Sequence, residues 1–176
     1  MSQYESAHLS ADHNLDAFDS GGLALDDWLR RSAKHAEATN TGRTFVWVDS
    51  NSSVVVGYFT LAAHLLRRAE IPKGIGHGSP DVIPAILLAR LALDHSLQGQ
   101  GLGGQLLLDA LERAVDASTR AGARFVVVDA IDDAAVQFYR HYGFRSCPNP
   151  RRLVRKISEV TAALYDSNLS HLQPPL

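Results

Sequence analysis

The stretch from Leu87 to Phe144 holds a glycine-rich turn and a tyrosine that could bind a ligand and move a proton. Gln98, Gly101 and Gly103 stand at Q-x-x-G-x-G spacing after an apolar stretch, with Gly99 and Gly104 interleaved. Such a glycine turn opening a helix presents unpaired backbone N–H groups beside the positive end of the helix dipole, which suits a pyrophosphate. About 35 residues further on lies Tyr139, flanked by Phe138 and Tyr142. Aromatic residues at that spacing are usually core, but a phenol is also a proton donor of pKa near 10. The eight histidines form no H-E-x-x-H or H-x-x-x-H pair, so no metal site is expected. Cys147 has no His or Asp placed beside it by sequence and reads as core filling.

The elements that must position these groups follow from periodicity. Tyr4 to Leu9 reads as a short opening strand. Asp19 or Ser20 can cap a helix that buries Leu25, Trp28, Leu29 and Ala33. Arg43–Val48 and Val54–Ala62 are rich in β-branched and aromatic residues, and Ser50-Asn51-Ser52-Ser53 between them is turn chemistry, so an antiparallel hairpin is expected. Glu70 to Pro84, rich in glycine and proline, reads as a long loop, functional or mobile rather than idle. Ala85 to Asp94 is a nearly continuous apolar strand, broken only by Arg90, and so belongs at the centre of a sheet. Gly101 to Thr119 is the main helix. Its expected apolar stripe is Leu102, Leu106, Leu108, Leu111 and Val115, with Asp109, Glu112, Arg113 and Asp116 facing water. Gly122 caps its end. Phe125–Asp129 is a second buried strand, Asp132 or Asp133 caps a helix ending at Gly143, and Phe144–Cys147 with Leu153–Ile157 suggests a last hairpin. The tail from Ser158 is helical at first, then polar with a Pro174-Pro175 stop and a poorly ordered end. The order gives an α/β class with a mixed, mostly antiparallel sheet, organised as residues 1–157 and a C-terminal extension, 158–176.

Composition bounds the rest. The chain has 176 residues, 45% of them apolar, enough for one packed domain. No apolar run reaches membrane-spanning length, no secretory leader is evident, and the single cysteine excludes an internal disulfide, so a cytoplasmic setting is expected. Seventeen basic and nineteen acidic residues leave a net charge of −2. No global field therefore draws the chain to nucleic acid. Local basic groups exist at Arg30, Arg31 and Lys34, at Arg67 and Arg68, and at Arg151, Arg152, Arg155 and Lys156.

Three phosphate motifs compete for the glycine turn. A P-loop needs Lys and Ser or Thr where Leu102-Gly103-Gly104 stand, and is rejected. The dinucleotide fingerprint matches Gly99, Gly101 and Gly104, with Asp129 near the position of a ribose-binding acid. Against it, His95-Ser96-Leu97-Gln98 separate the strand from the first glycine, and too little chain follows for a βαβαβ half. The third candidate extends over residues 3–157. Leu91-Ala92-Leu93-Asp94, the loop Gln98-Gly99-Gln100-Gly101-Leu102-Gly103-Gly104, and Ala134-x-x-x-Phe138-Tyr139-x-x-x-Gly143-Phe144 resemble the GNAT family of acetyl-CoA-dependent N-acetyltransferases. The segments 18–29, 43–46 and 88–101 are similar to the GNAT toxins of bacterial toxin–antitoxin pairs.

The resemblance implies the GNAT fold, with acetyl-CoA as co-substrate and no metal. Gln98 to Gly104 would hold the pyrophosphate, and the backbone of Leu91, Ala92 and Leu93 the pantetheine arm. Tyr139 would be the general acid that protonates the departing thiolate. It further implies the α-amine of aminoacyl-tRNA as acceptor, a ribbon-helix-helix antitoxin as partner, and room for a homodimer. Arg90, Arg151 and Arg152 are the candidate substrate contacts, the last two because phosphate contacts need clustered basic groups. No general base is visible, and an ester-linked α-amine needs none stronger than water. Two other functions stay open: a GNAT acting on a small amine or a protein N-terminus, and a non-catalytic coenzyme A-binding module.

Overall fold

Strands that are mostly buried along their length, β-branched and aromatic in β2 and β5, build one seven-stranded sheet, in the order β1-β2-β3-β4-β5-β7-β6. A computed structural model describes residues 4–170, with side chains to Asn168. The strands are β1 (Ala7–His8), β2 (Arg43–Val48), β3 (Val55–Arg67), β4 (Val82–Leu93), β5 (Phe125–Asp129), β6 (Arg145–Ser146) and β7 (Arg152–Lys156). The α-helices are α1 (Leu23–Arg31), α2 (Ala33–Ala38), α3 (Leu102–Ala121), α4 (Asp133–His141) and α5 (Ile157–Ser170). The expected stop at Pro174-Pro175 lies outside the described residues. The chain divides into two compact units, Met1–Ala63 with Leu88–Ala110, and His64–Leu87 with Leu111–Leu176.

In the first unit β2 pairs antiparallel with β3, Arg43 opposite Leu61, as the turn residues between them predict. The opening strand is shorter than expected, two residues paired with β2. The expected single helix is two, broken at Ser32. Its cap also differs. Gly22 is the N-cap and makes no side-chain bond, while Asp26 in the first turn reaches back to accept from Ser20 N and Oγ at 3.1 and 2.6 Å. Leu29 and Ala33 are buried with Leu15, Phe18, Val46, Val55, Tyr58 and Ala92 in the core of this unit.

The face of α3 is rotated from the expectation. Leu107, not Leu108, is buried, and Leu108 is 44% exposed. Asp109 does not face water alone: it accepts from Ser6 N and Oγ at 3.1 and 2.7 Å and from the buried Trp47 Nε1 at 2.8 Å. A carboxylate fits there because the indole N–H would otherwise be buried unpaired.

In the second unit β5 pairs antiparallel with β7, and β6 with β7. Two boundaries moved. β3 runs on to Arg67 because its alternation continues through His64 and the buried Leu66. β4 begins at Val82, three residues before the expected start. Pro84 lacks a donor, but its exposed side chain sits in the strand and its carbonyl accepts from Arg124 N at 2.8 Å. The glycine-rich segment before it is packed: Ile71 and Ile75 are buried with Leu66, Ile83, Phe125, Val127 and Val154. Cys147 lies in the same cluster, and burial pushes its thiol up to about 11. It is core filling, as expected.

Candidate active site

The first unit carries the glycine turn. Asp94 follows β4, buried, and accepts from Asp19 N, Ser96 N and Ser96 Oγ at 3.0, 3.0 and 2.7 Å. Burial alone would raise its carboxyl, but these donors outweigh it and hold the group below the usual carboxylate range. A short 3₁₀ turn, His95–Leu97, follows. Gln98 does not project freely. Its Nε2 donates to Leu93 O at 2.9 Å and to Ser20 O at 2.8 Å, stapling the turn to the end of β4. Gln100 Nε2 donates back to Ser96 O at 3.1 Å.

Gly99 and Gly101 sit at φ +75° and +76°, where an L side chain is strained, and a Cβ at either would meet no heavy atom within 4 Å. The conformation, rather than crowding by the protein, demands glycine. Gly103 and Gly104 lie in the first turn of α3. The N–H groups of a first turn have no acceptor within the helix. The turn is thus a hydrogen-bonded cradle of backbone donors with open space at Gly101, a shape suited to a pyrophosphate. Leu91, Ala92 and Leu93 close β4 beside it. The Leu93 carbonyl is already used by Gln98, so the pantetheine arm expected along this strand has other backbone groups to meet.

Arg90 lies flat on Trp28, its guanidinium carbon 3.9 Å from the ring centroid, and Trp28 stacks in turn on Tyr58. Burial lowers the Arg90 pKa from its ordinary value, opposed by Tyr58.

The second unit carries Tyr139. The Asp132 carboxylate caps α4 by accepting from Ala135 N at 2.8 Å. The ring of Tyr139 meets Phe138 and Phe144 edge-on at 5.2 and 5.5 Å. Burial pushes its phenol up to about 12, so it holds its proton across the physiological range and can serve as an acid but not as a base. Its hydroxyl makes no hydrogen bond to the described residues.

The basic stretch Arg151–Lys156 does not form one face. Leu153 and Val154 within it are fully buried. Arg151 donates to Ile131 O at 2.7 Å and pairs with Asp133 at 3.3 Å. Arg152 grips Asp129 with two bonds of 2.8 Å, and its other edge lies 3.3 Å from His64 Nε2. Arg155 donates to Tyr142 O at 2.9 Å. Sequence reasoning missed the His64–Arg152–Asp129 group. It borders an open cavity of about 520 Å³ lined by Ala69, Glu70, Asp129, Pro148, Asn149 and Arg152. Burial, then the Arg152 charge, holds His64 below its ordinary pKa. The Arg152 bond holds Asp129 well below its own. Among the described residues no three His, Cys, Asp or Glu are grouped to hold a metal, and no helix is long and apolar enough to cross a membrane.

A mixed sheet whose central strand runs into a helix-opening cradle of glycine donors defines an acyl-coenzyme A transferase fold. The chain belongs to the GNAT acetyltransferases: the model of the acetyltransferase (GNAT) domain matches residues 26–163. Within that family it is similar to the tRNA-acetylating toxin of Mycobacterium tuberculosis, 36% identical over 94% of this chain and 100% of that one. It is also similar to solved structures of the toxin AtaT. One is AtaT complexed with acetyl-methionyl-tRNA, with 28% identity, 92% of this chain and 99% of that one covered, and a TM-score of 0.84. Another is an AtaT mutant with a tyrosine replaced by phenylalanine, bound to the C-terminus of the antitoxin AtaR and acetyl-CoA. Its identity is 26%, with 92% and 98% covered and a TM-score of 0.77.

Proposed function

We propose that this protein transfers acetyl from acetyl-CoA to the α-amine of aminoacyl-tRNA and, by blocking translation, acts as the toxin of a toxin–antitoxin pair. The observation that carries the reading is the stapled turn Gln98–Gly101, whose two left-handed glycines open α3 with an uncovered row of donors. The coenzyme supplies the activated acetyl thioester. Backbone N–H groups from Gly99 to Gly104 hold its pyrophosphate, and the backbone of Leu91–Leu93 orients the arm. Tyr139 gives its phenolic proton to the departing thiolate. An ester-linked α-amine titrates near or below 8 and is delivered neutral without a dedicated protein base. Residues 1–157 carry the activity, with 158–176 as an extension. The setting is the cytoplasm, and the partners are a ribbon-helix-helix antitoxin and a second copy of the chain. The AtaT structures with acetyl-methionyl-tRNA and with AtaR support the substrate and partner class.

A second reading, a GNAT acting on small amines or protein N-termini, is favoured by the net charge of −2 and by the internal pairing of Arg151 and Arg152. Transfer of labelled acetyl to charged tRNA, with uncharged tRNA, free amino acids and peptides as controls, decides between them. Label on charged tRNA together with growth arrest on expression is expected. Label confined to free amines or peptides, with harmless expression, selects the second reading.

A further inference from the structure

The arginine of β4 is placed unlike the others. Arg30, Arg43, Arg68, Arg151 and Arg152 each have an acid within 3.5 Å. Arg90 is half-buried, and its guanidinium has no ion pair or hydrogen bond to the described residues. The groups around it supply no anion. Trp28 is neutral. Burial raises the Tyr58 phenol, which stays protonated and donates to Leu25 O at 2.7 Å. Asp26, the buried acid of α1, turns both oxygens to Ser20. A half-buried cation without a partner is costly unless something outside the chain completes it.

The stacking settles what part of the group is on offer. Trp28 holds the guanidinium by its face, 3.9 Å from the ring centroid, and Tyr58 stacks on Trp28 at 6.2 Å. Face contact leaves the in-plane N–H edge free and fixes its direction, the geometry for bidentate contact to an oxyanion. Arg31 lies one helical turn from Trp28, exposed and likewise without a partner among the described residues. Arg31 thus shares α1 with the Trp28 that carries Arg90, and two guanidinium groups without partners among the described residues suit an anion that repeats.

We propose that Arg90, pre-set on Trp28, receives a backbone phosphodiester of the nucleic-acid substrate, with Arg31 reaching the next phosphate. This rests on the proposed acetylation of charged tRNA. The coenzyme is the other source of phosphate, and the test separates the two.

The experiment compares the parent protein with Arg90→Gln, Arg90→Lys and Trp28→Phe. It follows acetyl transfer to charged tRNA across a salt series and measures acetyl-CoA binding separately. Arg90→Gln should lower kcat/KM for charged tRNA by about tenfold to a hundredfold, the scale of a charge-assisted hydrogen bond. Its log–log salt slope should become shallower by about 0.7–0.9, one phosphate contact. Arg90→Lys should keep the salt slope and lose part of the affinity, because charge survives and the fork does not. Acetyl-CoA affinity should match the parent throughout. Should Arg90→Gln not fold, Trp28→Phe carries the test, weakening tRNA use by freeing the guanidinium while its ring still packs. An unchanged salt slope in Arg90→Gln makes Arg90 a packing residue and overturns the proposal. Acetyl-CoA affinity falling in step with tRNA use assigns the site to the coenzyme and also overturns it. A parent protein that does not acetylate charged tRNA overturns the function itself, a separate and recognisable failure.

Discussion

Gly101 and Gly122 offer a matched pair of substitutions, one before α3 and one after it. Both sit at φ +76°, and at both a Cβ would meet no heavy atom within 4 Å. The protein therefore charges the same for alanine at each: the left-handed strain alone, about 1–2 kcal/mol. At about 2–4 °C per kcal/mol for a chain of this size, either variant should melt about 2–8 °C lower. The two should part on ligand binding. A methyl at Gly101 enters the space above the first turn of α3, where a pyrophosphate oxygen would approach. Losing one charge-assisted hydrogen bond costs about 1.5–3 kcal/mol, or about 10- to 150-fold in affinity. Acetyl-CoA at about 100 times the parent dissociation constant should stabilise the parent and Gly122→Ala by about 2.7 kcal/mol. A variant that binds about 100-fold more weakly gains only about 0.4 kcal/mol under the same conditions. Thermal melts of all three proteins with and without acetyl-CoA make the measurement, and NAD serves as the control that should shift none. Equal stabilisation of Gly101→Ala and Gly122→Ala would falsify the placement of the pyrophosphate over this turn.

Three further outcomes follow from the geometry. Tyr139→Phe keeps both edge-on ring contacts and removes a hydroxyl with no hydrogen bond to the described residues, so melting temperature and acetyl-CoA affinity should hold while turnover falls roughly 10²-fold; unchanged turnover would make Tyr139 core packing. His64 is held below its ordinary pKa of about 6.5, so the folded state resists a proton that the unfolded chain accepts; its stability contribution is full above about pH 6.5 and is lost as pH falls below it. Melting curves at pH 7.5 and 5.5 should therefore show a smaller acid loss in His64→Gln than in the parent, and parallel losses would rule the residue out. Asp109→Ala leaves the Trp47 indole N–H buried without its acceptor and should cost about 1–3 kcal/mol by denaturant titration, with Asp109→Asn, which keeps an acceptor oxygen, costing less; equal midpoints for all three proteins would contradict the bond.

What was legible in the sequence was local, and what was not depends on distant pairing. The glycine turn, the strand before it, α4 with its Asp132 cap and the β2–β3 hairpin are each written within one short window, and each is found, although β4 begins three residues early and β3 runs on to Arg67. The errors have two physical sources. A one-residue choice between Leu107 and Leu108 rotates a helix face by about 100°, and adjacent leucines give periodicity nothing to choose with. The other errors concern polar groups whose partners are remote in the chain. Helical spacing turns Asp109 to water, but the donor it accepts from is Trp47 Nε1, 62 residues away. Arg152 was assigned to a basic patch, yet Asp129 lies 23 residues off and His64 88 residues off. That pair had a readable signal. In an antiparallel pairing of the strands ending at Asp129 and beginning at Arg152, the two residues stand opposite each other, and opposite charges across a ladder attract. The missing step was the strand order: the chain places β7 beside β5, inside β6, and nothing in the spacing of Phe144–Ile157 declares which strand of the hairpin lies inward. The consequence reaches function. In a run of basic residues counted as a substrate surface, Arg151 and Arg152 become, once register is known, halves of ion pairs, whereas Arg90, the one charge in an apolar strand, has no ion pair among the described residues.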